Sequence, residues 1–205
     1  MNSAKIRLSA EEQELIADPG WILTKNRILA AIHRFLEELQ PAQQNWIRSI
    51  PSPVPHHMLE IPARISKGEN YQGLPYRVLD YPRCFEGADI FTVRTLFWWG
   101  HFFSVTLQLS GRYKTACEPA LLAARDQLTK LGAYICTDPD PWQHHFNKGY
   151  YTAVAVLTAE EYKKQVLHRP FIKLACKHGL AGWEALPSRL LEDFKGLILA
   201  AGYGH

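Results

Sequence analysis

Cysteine is scarce in this chain: four thiols among 205 residues, at 84, 117, 136 and 176, with no C-x-x-C pair. Such wide spacing argues against a disulfide framework or a zinc-finger pattern, and it fits reduced structural thiols in an intracellular protein. Excess charge is also missing. Against 23 Lys and Arg stand 20 Asp and Glu, for a net charge of +3, and the basic residues are scattered. Neither a nucleic-acid surface nor an acidic partner is indicated. No apolar run of signal-peptide length precedes Glu11-Glu12, so export is not indicated and a cytoplasmic location is the expectation.

Catalytic signatures are absent as well. Ser104 and Ser110 have no G-x-S-x-G elbow around them, and no cysteine sits in a nucleophile motif. Lys67-Gly-Glu-Asn-Tyr-Gln-Gly73 has two glycines but lacks the lysine-hydroxyl ending of a phosphate loop, and it reads as a turn. No internal repeat or low-complexity tract is evident.

What the chain has is aromatic surface: six Trp, nine Tyr and nine Phe, within a composition that is 47% hydrophobic. That is enough for a sizeable core in a single compact domain. The densest stretch runs from Phe91 to Gly111, where odd positions are Phe91, Val93, Thr95, Phe97, Trp99, Phe103, Val105, Leu107 and Leu109, and even positions include Thr92, Arg94, Ser104, Thr106 and Gln108. Period-2 alternation marks half-buried strands, and the run is too long for one of them. Gly100 is the natural break.

A two-residue loop would set apolar residues opposite polar ones. The three-residue loop Trp99-Gly100-His101 instead pairs Phe97 with Phe103, Thr95 with Val105, Val93 with Leu107 and Phe91 with Leu109, giving one wholly core-like face. The second face carries Thr92 opposite Gln108, Arg94 opposite Thr106, Leu96 opposite Ser104 and Trp98 beside Phe102. Because antiparallel sheets commonly keep one side wet, a solvated second face is the leading expectation. Its rival is a pocket wall in which Arg94 binds an anionic group and Trp98 and Phe102 supply apolar contact. A membrane span is disfavoured by Arg94, His101 and Gln108 and by the β-branched periodicity.

Serine and threonine N-caps followed three residues later by Glu mark helix starts at Ser9 with Glu12, Thr115 with Glu118, and Thr158 with Glu161. Asp18-Pro19 marks another, for a helix running to Pro41, so that residues 9–48 form a helical hairpin or bent helix. The proline-rich connector Ile50 to Pro55 is the best boundary. It divides an N-terminal helical segment, 1–50, packed on the main domain, from an α+β domain, 51–205. Strands are expected at Leu59–Ile65, Pro75–Tyr81, Ala133–Cys136 and Tyr150–Leu157, the first two joining the central hairpin in a meander. Helices are expected at Thr115–Leu131, Thr158–His168, Phe171–Lys177 and Ser188–Ala200. The predicted fold is α+β, with an antiparallel sheet of four to six strands centred on the 91–109 hairpin and packed by the helices.

Several residue groups are candidates for chemistry. Asp138, Asp140, His144 and His145 gather in one loop between two strands, and such groups hold a divalent metal when they converge. The competing reading is a proline-stiffened loop, a place for a lid or contact surface. His56-His57 would join that set only by a long-range approach. His101, beside Trp99, Phe102 and Phe103, is a candidate proton carrier if burial tunes it, against an exposed turn histidine. Asp80 pairs with Arg77 or Arg83 in a structural ion pair, or Arg83 joins Arg94 in gripping a carboxylate or phosphate.

These residues support three readings of function. The leading one is a soluble, non-enzymatic protein that binds a small apolar or anionic ligand, or a protein partner, through Arg94, Trp98, His101, Phe102, Arg83 and Tyr81, with no cofactor. The second is a metal-dependent enzyme that uses the 138–145 loop, with His101 as acid or base. The third is a structural interaction module, assembled as a homodimer.

Overall fold

A computed structural model describes residues 6–52 and 54–204. The chain opens with helices α1 (Ala10–Ala17), α2 (Gly20–Ser49) and α3 (His56–Glu60), followed by four strands, β1 (Arg64–Tyr71), β2 (Leu74–Glu86), β3 (Asp89–Trp98) and β4 (Phe102–Ser110). Helices α4 (Gly111–Ala123) and α5 (Arg125–Lys130) lead to strands β5 (Tyr134–Cys136) and β6 (Tyr151–Ala153). A 3-10 turn, Val154–Val156, precedes α6 (Ala159–Leu167), β7 (Phe171–His178) and α7 (Leu186–Ala200).

The strands form one seven-stranded antiparallel sheet in the order β1-β2-β3-β4-β7-β5-β6. An α+β fold built around the hairpin is therefore what the chain adopts. Among the described residues, no helix is long and apolar enough to cross a membrane.

The hairpin has the register its alternation demands, with Phe97 opposite Phe103 and Phe91 opposite Leu109. Its three-residue turn closes through His101 N donating to Trp98 O at 3.1 Å, and Gly100 takes φ of 75° there. Odd-numbered side chains point into the main core, beside Leu29, Ile32, Leu36 and Leu39 of α2, Cys117 and Leu121 of α4, and Leu190, Phe194 and Leu197 of α7. Full burial of each such side chain contributes roughly 1.5–3 kcal/mol. Among the described residues, no helix residue joins the two smaller clusters on the second face, around Leu96, Trp98 and Phe102 and around Cys136, Tyr151 and Phe171.

Several elements differ from expectation. α2 continues through Pro41 to Ser49, because Leu29, Ile32, Leu36, Leu39, Gln43 and Ile47 bury one stripe on both sides of the proline. That burial offsets the proline's cost of about 3 kcal/mol. Ser9 with Glu12 and Thr158 with Glu161 do form capping boxes. Thr115 does not, since α4 starts four residues earlier at Gly111, directly after β4. Thr115 Oγ1 donates to Gly111 O at 3.3 Å, and Glu118 pairs with Lys114 instead. Gly111 makes this abrupt start: it takes φ of 56°, and a Cβ there would collide with Asp89 Oδ1.

Residues 171–178 are a strand, not a helix. β7 lies between β4 and β5, and its first six residues are buried. A strand covered on both faces has no alternation to read, so Phe-Ile-Lys-Leu-Ala-Cys fits either period. The expected strand at Leu59–Ile65 is displaced, with α3 over its first residues and β1 beginning at Arg64, while the one at Tyr150–Leu157 shortens to β6.

Candidate functional site

The second face of the sheet is buried rather than wet. Ser104, Thr106 and Gln108 are all less than 5% exposed. The cover is the loop between β5 and β6: Phe146 packs edge-on against Phe102 at 5.2 Å and against Tyr134 at 5.3 Å, and stacks on Tyr151 at 4.4 Å. Tyr71 at the end of β1 pins it, its hydroxyl oxygen accepting from His144 N at 2.8 Å and His145 N at 3.1 Å.

The two loop carboxylates shape the backbone. Asp138 Oδ1 accepts from Asp140 N at 2.8 Å, and Asp140 accepts from Trp142 N at 2.9 Å and Gln143 Nε2 at 2.7 Å. These are the Asx turns expected of a Pro-Asp-rich segment. The donor atoms of Asp138, Asp140, His144 and His145 do not converge as a metal group among the described residues. The reason is plain at His144, whose two ring nitrogens are both engaged already, Nε2 by Arg94 and Nδ1 by Lys173.

Under the loop runs a hydrogen-bonded chain of four side chains. Asp80 holds Arg94 through two bonds, Nε to Oδ1 at 2.7 Å and Nη2 to Oδ2 at 2.9 Å. The expected partners Arg77 and Arg83 are not bonded to Asp80; Arg77 instead lies 3.6 Å from Glu69. Arg94 Nη1 is 3.0 Å from His144 Nε2, and His144 Nδ1 is 3.3 Å from Lys173 Nζ. Lys173 also donates to Pro141 O at 2.9 Å and to Gln143 O.

Donor counting sets the protonation along this chain. A guanidinium has no acceptor, so His144 Nε2 must accept, and neutral His144 carries its proton on Nδ1. Nδ1–H then points at Lys173 Nζ. A neutral amine has two N–H groups for the two carbonyls and one lone pair for Nδ1–H, which matches all three partners. Burial agrees in direction, holding His144 well below its usual range and lowering Lys173 to about 7.

One row of the sheet beside this chain has unmade hydrogen bonds. Arg83, Thr92, Gln108 and Lys173 are successive cross-strand partners on β2, β3, β4 and β7. Arg83 Nε, Thr92 Oγ1 and Gln108 Nε2 are buried with no partner among the described residues. Arg83 reaches this face because β2 bulges: Tyr81 and Pro82 together stand opposite Val93, so residues 80 and 83 point the same way. Beside the row opens a pocket of about 350 Å³ lined by Arg64, Arg83, Arg94 and Asp80, with Tyr76, Phe85 and Trp142 as aromatic walls. Trp142 is half exposed, and the Arg83 guanidinium carbon lies 5.8 Å from the Phe85 ring centre.

Comparison of the chain with protein-family models, with curated proteins and with solved structures finds no match.

Of the residues singled out from sequence, Arg83 and Arg94 line this pocket together. Trp98 and Phe102 do not; both are buried in the adjoining aromatic cluster, where Trp98 Nε1 donates to Tyr71 O at 3.1 Å. Tyr81 is in the main core on the opposite face, because the bulge turns it away from its neighbours Asp80 and Arg83. His101 is exposed and stacked on Trp98 at 3.6 Å, so the burial on which a proton-carrier role rested is missing. His145 is buried against Tyr150. Thr92 and Gln108 pair on this face as their alternation predicts, whereas Lys173 and Tyr71 are additions of the tertiary structure. A lone lysine inside the apolar run 171–176 was the one available signal.

A larger depression, about 610 Å³, lies between α2 and β1, lined by His33, Arg34, Lys67, Glu69 and Arg77. Its carboxylate is already matched, Glu69 lying 2.7 Å from Lys25 and 3.6 Å from Arg77.

Proposed function

We propose that the protein binds a small anion, a carboxylate or phosphate carried on a planar apolar body, in the pocket between β1–β3 and the 137–150 loop. The partnerless Nε of Arg83, a side chain that lines the pocket, carries this reading, and Thr92 Oγ1 and Gln108 Nε2 continue the same unpaired row next to it. Buried polar groups are nearly always hydrogen-bonded, and a cluster of exceptions beside a pocket is the mark of a site that a ligand completes. Three guanidiniums against one carboxylate make the pocket cationic. Asp80 is spent on Arg94, which leaves Arg83 and Arg64 for the anion, while Phe85 and Trp142 offer faces for a flat ring.

The test is calorimetric titration with inorganic phosphate, benzoate and a nucleoside monophosphate, with Trp142 fluorescence as a second readout. A ring-bearing anion should bind, and Arg83→Gln should weaken it about tenfold or more, as expected for loss of a charge-assisted hydrogen bond of roughly 1.5–3 kcal/mol. If none of the three binds, or if Arg83→Gln binds equally well, the reading fails.

Self-association is a second reading. α1 buries none of its residues, and Ile16, Trp21 and Leu23 on α1 and the start of α2 are at least half exposed. Exposed apolar side chains close together in sequence favour a second copy of the chain. Sedimentation at increasing concentration would reveal it as a rising mass, and Leu23→Glu with Ile16→Glu should abolish that rise; a constant monomer mass would eliminate this reading.

A further inference from the structure

On the opposite, core-side face of the sheet, three segments far apart in sequence bring unlike donors together. His57 comes from α3, Cys84 and Glu86 from the end of β2, where residues two apart share a face, and Tyr113 from the first turn of α4. The donor atoms of His57, Cys84 and Glu86 all lie within 4.8 Å of one another. The Tyr113 hydroxyl sits among them, 3.2 Å from His57 Nε2, 3.4 Å from Cys84 Sγ and 3.5 Å from Glu86 Oε2. Cys84 Sγ is 3.2 Å from Glu86 Oε1.

We propose that His57, Cys84 and Glu86, with Tyr113 as fourth donor, form a binding site for a single divalent cation of the zinc class. Tetrahedral zinc has bonds of about 2.0–2.3 Å, which places its donors about 3.3–3.8 Å apart. Three of the donor pairs, Tyr113 with His57, Tyr113 with Cys84 and Cys84 with Glu86 Oε1, already stand 3.2–3.4 Å apart, and the rest lie within reach of a small adjustment of exposed side chains. One imidazole, one thiolate and one carboxylate are a donor set suited to zinc and poorly suited to calcium or magnesium, which require more oxygens.

The surroundings agree. Arg112 binds the far carboxylate oxygen of Glu86 and leaves Oε1 on the cysteine side, the arrangement of an outer partner that orients a ligand. Its charge is in turn offset by Asp89, whose Oδ2 lies 3.5 Å from Arg112 Nε. As the sulfur–metal bond forms, the Cys84 thiol proton leaves to solvent. Cys84 is buried while His57 and Glu86 are exposed, so a cation reaches the site from outside. Once held, it ties the segment after the proline-rich connector to the sheet and to α4. This site shares no residue with the proposed anion pocket and stands or falls separately.

Calorimetry with Zn²⁺ and absorption spectroscopy with Co²⁺ on the full chain provide the test. The expected result is one cation per chain, a sulfur-to-cobalt charge-transfer band, and a thermal shift on adding Zn²⁺. Cys84→Ala should abolish the band, and His57→Ala and Glu86→Gln should each weaken Zn²⁺ binding about tenfold or more. His57 and Glu86 are exposed, so those two variants keep the test decisive even if Cys84→Ala fails to fold. Absence of stoichiometric binding overturns the proposal. So does binding that survives His57→Ala combined with Glu86→Gln, or that disappears instead in the distant His144→Gln variant.

Discussion

Lys173 Nζ and His144 Nδ1 lie 3.3 Å apart beneath the 137–150 loop, with Arg94 on the other ring nitrogen and two backbone carbonyls on the amine. Burial and the neighbouring cations favour the neutral form of His144, while Lys173 gives up its proton near pH 7, so that above that pH the charges of the chain from Asp80 to Lys173 reside in the Asp80–Arg94 pair at its far end.

The lysine gives a measurable pH dependence. Its folded value is lowered from 10.5 to about 7, so between those limits the unfolded chain holds a proton that the folded chain does not. Stability therefore rises as pH goes from 7 toward 10.5, and the full cost is present below 7. Chemical denaturation of the protein and of Lys173→Met should differ by roughly 3–5 kcal/mol more at pH 6.5 than at full deprotonation, with the slope visible between pH 7 and 9. Parallel curves would mean that Lys173 titrates alike in both states.

His144 acts on the acid side. Burial and the neighbouring cations lower its pKa well below 6.5, so the unfolded chain takes up a proton first as pH falls. Stability should be full above about 6.5 and drain away below it. His144→Gln, which can accept from Arg94 and donate to Lys173, should unfold at a lower pH than the parent. Acid unfolding followed by tryptophan fluorescence measures this.

Asp80 and Arg94 should behave as a unit. Both are largely buried and bonded twice. Removing either alone, as Asp80→Asn or Arg94→Met, leaves an uncompensated charge or donor and should cost about 2–4 kcal/mol. The double variant should cost clearly less than the sum. Urea unfolding of the full cycle decides the matter, and additive costs would mean the pair is not coupled.

Thr92 separates stability from binding. Its hydroxyl is buried without a partner, so the near-isosteric Thr92→Val should stabilise the protein by about 0.5–1 kcal/mol while weakening binding of the ring-bearing anion. A variant that is both less stable and unchanged in binding would assign Thr92 a purely structural role.

Much of the scaffold was legible along the chain. Alternation from Phe91 to Leu109, with one glycine at its centre, admits a single register that buries Phe97 against Phe103, and the register observed is that one. Capping at Ser9 and Thr158 is local too, because a hydroxyl and a carboxylate three residues apart satisfy each other whatever lies around them. At Thr115 the same pattern misled, since Gly111 lets the helix begin directly where β4 ends. The site was legible only in fragments: Arg83 and Arg94 could be named, but not their shared face, which depends on the bulge at Tyr81 and Pro82.

Local sequence, then, determined the hairpin, its core face and two of the helix starts, because alternation, glycine torsions and side-chain caps act over a few residues. Tertiary structure decided what the second face is. It set β7 beside β4, so that Lys173 completes the row with Gln108, Thr92 and Arg83, and it laid the 137–150 loop over them. It also drew His57, Cys84, Glu86 and Tyr113 into one cluster. Both outcomes come from strand pairing and burial between distant segments, and no residue carries that information in its own neighbourhood.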